Sequence, residues 1–153
     1  MIKSYHAEFF TATILRWQKL LYDNNLKQII IDSLQWLVTE KRCSVYAFVP
    51  NAFGMPNHIH LLWKIADGFE RETVQGAFLS FSAHAFKKYL KQNNATLLEE
   101  YYVDAKDRNY QFWQRTQMVK RNMVRKVLLT KAKLYSSKSL STTLDACCIA
   151  GRL

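Results

Sequence analysis

The chain has 153 residues, of which 49% are hydrophobic and 22% are charged, and these values indicate one globular domain with a single core. No apolar run reaches the roughly 18 residues that a membrane span requires, and the first ten residues lack the apolar region of a signal peptide. Cys43, Cys147 and Cys148 show no metal-binding or disulfide spacing, which indicates a reducing compartment. We therefore expect a cytoplasmic protein.

The net charge of +10 favours a polyanionic partner, but it is unevenly distributed. Residues 1–115 contain 14 basic and 11 acidic residues, whereas residues 116–153 contain 8 basic residues and 1 acidic residue. Of the 21 aromatic residues, 20 lie in the first 115 positions. This break in composition predicts a core of residues 1–115 followed by a C-terminal segment, residues 116–153, of different character.

The first half of the core alternates strand and helix patterns. Residues 8–14 are rich in β-branched and aromatic side chains and predict a strand. Asp23, Asn24 and Asn25 form a turn and helix-start signal, and the helical spacing of the leucines and isoleucine that follow predicts a helix over 27–41. Residues 44–49 predict a second strand.

The second half begins with a loop over 50–57 that contains both prolines of the chain. It is followed by a predicted third strand over 58–65, a long helix over 71–92 and a short fourth strand over 110–113. The order β-α-β-β-α-β predicts an α+β fold of the ferredoxin-like type, shared with RNA-recognition modules, in which both helices cover one face of an antiparallel sheet.

The third strand carries the chemistry. Strand alternation places His58 and His60 on one face, and a continuous apolar set on the other face: Ile59, Leu61, Trp63 and Ile65. The apolar set should meet the helices, so the histidines should project from the open face. Residues at i and i+2 lie roughly 6.5–7 Å apart, which lets two imidazoles converge on one divalent ion. Histidine suits Mn²⁺, whereas Mg²⁺ would require additional oxygen ligands.

A His-x-His pair is a weak signal alone, but here it lies within the string Met55-Pro56-Asn57-His58-Ile59-His60-Leu61-Leu62-Trp63. This string resembles the HUH motif of REP-associated tyrosine transposases, which are single-tyrosine, IS200-like HUH enzymes. Residues 8–14 and 110–115 resemble further segments of that family. The resemblance covers residues 8–115.

The resemblance implies a function and a ligand set. His58 and His60 would bind a divalent metal, Mg²⁺ or Mn²⁺, and the substrate would be single-stranded DNA beside a small hairpin. The metal would stabilise charge on the scissile phosphate, and a tyrosine would attack it to form a phosphotyrosine link that conserves the bond for rejoining. Related enzymes occur as monomers and as homodimers, so the oligomeric state stays open.

Further residues are candidates for DNA contact. Basic groups at Lys87, Lys88 and Lys91 would supply affinity for phosphates, although a solvated helix surface explains them equally well. Trp113 could stack on unpaired bases and Arg115 could approach the DNA backbone. Core packing is the better explanation for at least one of Phe112 and Trp113.

The sequence departs from the family in two places. Residues 50–54 lengthen the loop before the motif. More importantly, the string Tyr-Ile-His-Asn-Asn-Pro, which carries the family's catalytic tyrosine and a third metal ligand, is absent. Codons AAA CTA TAT TCA TCA AAA TCC for residues 133–139, read one base later, would encode Asn-Tyr-Ile-His-Gln-Asn-Pro. We therefore hypothesise that residues from about 116 onward are frame-shifted. Tyr135, which overlaps the displaced tyrosine codon, is the candidate catalytic nucleophile of this chain.

Three interpretations remain open. The leading one is a DNA nickase of the transposase type, with its nucleophile helix lost from this copy. A second is a non-catalytic module that binds a DNA hairpin. A third is a structural ferredoxin-like domain whose histidines are incidental.

Overall fold

The computed structural model describes residues 6–49 and 56–120. Two 3-10 turns (Leu15–Trp17 and Leu20–Tyr22) separate the first strand from the first helix. The strands and helices are β1 (Glu8–Thr13), α1 (Asn24–Thr39), β2 (Cys43–Val49), β3 (His58–Ile65), α2 (Arg71–Asn93), α3 (Ala95–Glu99), β4 (Tyr102–Ala105), β5 (Arg108–Tyr110) and β6 (Met118–Lys120). Within these described residues, no helix is both long enough and apolar enough to cross a membrane.

The main sheet has four strands in the order β2-β3-β1-β6, and all neighbouring strands are antiparallel. This order is that of the ferredoxin-like fold, in which the first and third strands are central. The predicted α+β class and sheet are therefore confirmed. A separate hairpin joins β4 and β5.

The alternation predicted for β3 is confirmed. Ile59, Leu61, Trp63 and Ile65 are fully buried, and they lie on the face that packs against the helices. In α2, Phe78 lies between two of the core rings, with its ring centroid 6.4 Å from that of Phe10 and 6.2 Å from that of Trp63. Both histidines therefore lie on the opposite face of the sheet.

The helix predicted over 27–41 begins three residues earlier, at Asn24. The side chain of Asp23 accepts a hydrogen bond from the backbone N–H of Asn25 at 2.8 Å, and this cap satisfies one of the unpaired donors of the first turn. The turn signal at Asp23 was read correctly in the sequence, and only the bounds of the helix differ.

The fourth strand lies elsewhere than predicted. The predicted segment, residues 110–113, meets the main sheet only through an isolated bridge between Trp113 and Ile14. The edge strand is β6 instead, and it pairs with β1. The reason is that Phe112 and Trp113 both contact Phe86, with ring centroids 5.7 and 5.9 Å away. Consecutive residues of a regular strand point to opposite faces and could not do this.

β6 begins three residues beyond the predicted boundary at residue 115. Most of the C-terminal segment predicted over 116–153, with the hypothesised frame-shift and Tyr135, falls in residues 121–153, which lie outside the described residues. Residues 50–55 of the predicted loop also lie outside them. These remain predictions.

A buried ion pair ties the first strand to the second long helix. Glu8 is 1% exposed, and its carboxylate lies 2.8 Å from Nε of Arg71, the first residue of α2. The amide of Gln75, one turn later, donates to the same carboxylate at 3.2 Å. The side chain of Glu8 therefore lies on the helix-covered face of the sheet, opposite the face that carries the histidines.

Candidate metal and nucleic-acid site

His58 and His60 lie next to each other on the central strand β3. Their ring centroids are 4.8 Å apart with the planes at 70°. The strand register places Thr13 opposite His58 and Thr11 opposite His60 on β1. We call the surface formed by these four residues the histidine face. The two predicted ligands are thus brought together, as their i and i+2 spacing indicated.

The ring of His58 is oriented by the residue that precedes it. Nδ1 of His58 lies 2.7 Å from Oδ1 of Asn57, and the amide nitrogen of Asn57 faces the carbonyl oxygen of Trp17 at 3.4 Å. With the amide in this orientation, Nδ1 is the protonated nitrogen and donates to Asn57. Such an outer hydrogen bond is the usual way in which a ligating histidine is fixed in one tautomer. Nε2 is then the nitrogen suited to a metal.

His58 is also kept neutral by its surroundings. It is only 7% exposed, and this burial lowers its pKa below the usual value of 6.5. The ring of Trp17 lies beside it, with ring centroids 6.4 Å apart and the planes at 68°. Since a histidine must be neutral to bind a metal, the desolvation favours the ligating form.

His60 is held from two sides. Its Nδ1 lies 3.0 Å from the hydroxyl of Thr11, and Phe9 stacks on its ring at 5.1 Å. Phe9 and Thr11 both belong to β1, so the pairing of β1 with β3 positions the second ligand. When the Thr11 hydroxyl accepts from Nδ1, Nε2 of His60 is the nitrogen with a free lone pair.

The two imidazoles could bind a divalent ion if other groups supply the remaining ligands. Among residues 6–49 and 56–120, no group of three or more histidine, cysteine, aspartate or glutamate side chains is arranged to hold a metal. Two imidazoles leave most coordination positions to oxygen donors, such as DNA phosphate, an amide or water.

The segment around the motif is anchored to the rest of the fold through its backbone. The carbonyl of Asn57 accepts from the N–H of Ile14 at 2.8 Å, and the carbonyl of Pro56 accepts from the N–H of Leu21 at 2.9 Å. The residues before the histidines are thereby fixed to the connection between β1 and α1. Sequence reasoning gave no role to Thr11, Asn57 or Trp17, because their part in the site depends on strand register and loop packing.

Two of the basic residues predicted to contact DNA line a cavity beside α2, the helix that packs on the opposite face of the sheet from the histidines. Lys87 and Arg115 line a cavity of about 820 Å³ between α2 and residues 107–115, together with Arg108 and His84. We call this cavity the basic groove. The ammonium group of Lys87 lies 4.8 Å from the ring centroid of Tyr110. Lys88 and Lys91 are exposed on α2 and do not line the groove.

Trp113 lines the same groove but belongs to the core. It is 6% exposed, and its indole N–H donates to the hydroxyl of Ser82 at 3.0 Å. Phe112 is 2% exposed, so the expectation that at least one of the pair packs in the core is confirmed for both. His84, another residue of the groove, is exposed, and its Nδ1 lies 2.8 Å from the carbonyl oxygen of Ser80.

Comparison with known proteins gives matches among solved structures. No family model matches this chain, and no curated protein matches it. A REP-associated tyrosine transposase bound to a REP hairpin superimposes with a TM-score of 0.52 at 16% identity, over 85% of this chain and 64% of that one. A provisionally assigned transposase from Deinococcus radiodurans R1 gives a TM-score of 0.51 at 14% identity, over 88% of this chain and 94% of that one.

These structural similarities show which fold the chain has. The chain has the ferredoxin-like fold found in these transposases, which is the fold expected from the sequence resemblance. The chain spans about 64% of the length of the hairpin-bound transposase.

Proposed function

We propose that this chain is a REP-associated tyrosine transposase by descent, which binds single-stranded DNA beside a hairpin and uses Mn²⁺ or Mg²⁺ for nicking and joining. The observation that carries the proposal is the arrangement of His58 and His60. Their rings are adjacent, and both Nδ1 atoms have polar partners, which supports the use of the two Nε2 atoms as ligands of one ion. The shared fold with a transposase whose structure holds a REP hairpin supports the choice of DNA as the partner.

The chemistry follows from a metal at that position. When bound, the metal would neutralise charge on a non-bridging oxygen of the scissile phosphate. The tyrosine hydroxyl oxygen forms a bond to phosphorus, the phosphorus–oxygen bond to one flanking sugar breaks, and that sugar oxygen takes up a proton. The DNA remains linked to the protein through phosphotyrosine, so the reverse attack by a sugar hydroxyl restores a phosphodiester.

The proposal has two forms, a DNA-cleaving enzyme and a non-catalytic DNA-binding module, and they differ in whether the chain has a working nucleophile. Tyr135 is the only tyrosine of residues 116–153, and the residue four positions on is Ser139, a weak substitute for the amide ligand of the family. The absence of the family's tyrosine string favours the alternative, a DNA-hairpin-binding module that has kept the fold and lost strand cleavage. Homodimer formation, which occurs in related enzymes, is a further part of the proposal.

A cleavage assay separates these forms. The protein would be mixed with hairpin-flanked single strands in Mn²⁺, and a covalent protein–DNA product would be sought on denaturing gels. A product that disappears in Tyr135→Phe supports cleavage through that residue. Binding without a product, by electrophoretic shift, supports the non-catalytic module. If the protein neither binds the DNA nor forms a product, both forms of the proposal are contradicted and the structural interpretation is favoured.

The frame-shift hypothesis has its own test. The coding DNA across codons 110–153 would be sequenced, and the intact mass of the expressed protein measured. A genomic frame that encodes Tyr-Ile-His-Gln-Asn-Pro without interruption would make the chain a complete transposase. A mass that matches the printed sequence would make it a decayed copy, for which we expect metal and DNA binding without cleavage.

A further inference from the structure

Trp17 is an exposed aromatic ring next to the predicted metal ligands. Of the four tryptophans in the chain, Trp63 and Trp113 are buried and Trp36 is partly buried, whereas Trp17 is 60% exposed. Its ring lies edge-on to the ring of His58, with centroids 6.4 Å apart. A large apolar ring is thus presented to solvent at the border of the histidine face.

The backbone that carries this ring has an uncommon conformation. Arg16 and Trp17 have φ values of 54° and 58°, in the left-handed region that residues other than glycine rarely adopt. Such conformations persist where surrounding contacts impose them, and they concentrate at functional sites. Two adjacent residues of this kind bring the Trp17 ring to the edge of the histidine face.

Several hydrogen bonds hold this conformation. The carbonyl of Trp17 faces the amide of Asn57, the side chain that also orients His58. The guanidinium of Arg16 donates to the carbonyl of Glu100 at 3.3 Å, and the amide of Gln18 donates to the carboxylate of Glu100 at 2.9 Å. The ring is therefore exposed on a backbone that is fixed on both sides, which lowers the entropic cost of binding a flat ligand.

We propose that Trp17 is the stacking site for an unpaired nucleobase next to the phosphate that a metal at His58 and His60 would hold. An exposed indole provides a flat surface on which any base can stack, and tryptophan is therefore used by proteins that hold single strands without reading their sequence. The proposal rests on the proposed function, since it requires DNA on the histidine face. It adds a base-binding position that distinguishes a single strand from a duplex, whose bases are already stacked.

Two probes of equal length and charge isolate base stacking from phosphate binding. One is a short labelled oligothymidylate, and the other is the same backbone with abasic sites in place of every base. Affinities would be measured by fluorescence anisotropy for the wild type, Trp17→Ala, Trp17→Phe and Tyr22→Ala. Tyr22 is the matched control, because it lies in the same connection and is 81% exposed. The Mn²⁺ affinity of each variant would show that the histidine face is intact.

We expect Trp17→Ala to weaken oligothymidylate binding about tenfold, which is the lower part of the range for loss of one base stack. Binding of the abasic backbone should stay unchanged, Trp17→Phe should retain most of the affinity, and Tyr22→Ala should behave as the wild type. Oligothymidylate should also quench tryptophan emission in the wild type but not in Trp17→Phe.

Two results would overturn the inference in distinguishable ways. In the first, the wild type binds oligothymidylate, and Trp17→Ala either leaves this affinity unchanged or weakens the binding of oligothymidylate and of the abasic backbone by the same factor. That result would exclude the stacking role but would not contradict the proposed function. Failure of the wild type to bind either probe, with Mn²⁺ binding intact, would contradict the proposed function together with the inference.

Discussion

Asn57 and His58 are neighbours in sequence and hydrogen-bonded partners in the site, with Oδ1 of Asn57 2.7 Å from Nδ1 of His58. The same amide faces the carbonyl of Trp17, and the backbone carbonyl of Asn57 accepts from Ile14. One residue therefore orients the ring of His58, the proposed metal ligand, and connects it to the chain segment beside it.

Asn57→Ala should weaken Mn²⁺ binding by roughly 10- to 100-fold, the range typical for loss of an outer-shell partner of a metal ligand. The ring of His58 would lose the acceptor that fixes its tautomer, while the strand that carries it would remain. Calorimetric titration with Mn²⁺ measures the change. Asn109→Ala, an exposed asparagine in the basic groove, is the control and should bind as the wild type does. Equal affinity of the Asn57 variant would show that the hydrogen bond does not assist the ligand.

The ion pair between Glu8 and Arg71 should contribute far more to stability than an exposed pair. Glu8→Ala removes a buried carboxylate that both Arg71 and Gln75 contact, so we expect a loss of about 3 kcal/mol in the free energy of unfolding. The control is Asp67→Ala, which removes an exposed partner of Lys64 and should cost less than about 1 kcal/mol. Urea denaturation measures both, and equal effects would contradict the buried role of Glu8.

Much of this architecture follows from local pattern in the sequence. The alternation of β3 and the cap signal at Asp23 each involve only a few neighbouring residues. Both features could therefore be predicted without knowledge of the tertiary contacts. The fourth strand was placed wrongly because Phe112 and Trp113 both pack against Phe86, which is 26 or more positions away in sequence. The partners Thr11 and Trp17 were missed for the same reason, since each reaches its histidine through tertiary contact.

Ser82→Ala tests whether Trp113 is a core residue. The hydroxyl of Ser82 is the acceptor for the buried indole N–H of Trp113, and its loss leaves that donor unsatisfied. We expect the free energy of unfolding to fall by about 1–3 kcal/mol. Ser80→Ala, at an exposed position of the same helix, should change stability by less than about 0.5 kcal/mol. A neutral Ser82→Ala would indicate that the indole finds another partner.

The basic groove should contribute to DNA affinity through charge alone. If Lys87 and Arg115 each contact one phosphate, the Lys87→Ala, Arg115→Ala double variant should reduce the slope of log affinity against log salt by about 2. Lys27→Ala, on α1, is the charge control and should leave the slope unchanged. Anisotropy titrations of a labelled hairpin with a single-stranded flank, at several salt concentrations, measure the slope. An unchanged slope in the double variant would show that the groove does not contact DNA.

The most direct measurement is a calorimetric titration of Mn²⁺ into the wild type and into the double variant His58→Ala, His60→Ala. We expect the wild type to bind about one ion per chain and the double variant to show no measurable binding, with circular dichroism confirming that the double variant is folded. A wild type that binds no Mn²⁺, or a double variant that binds it equally well, would contradict a metal site at the two histidines.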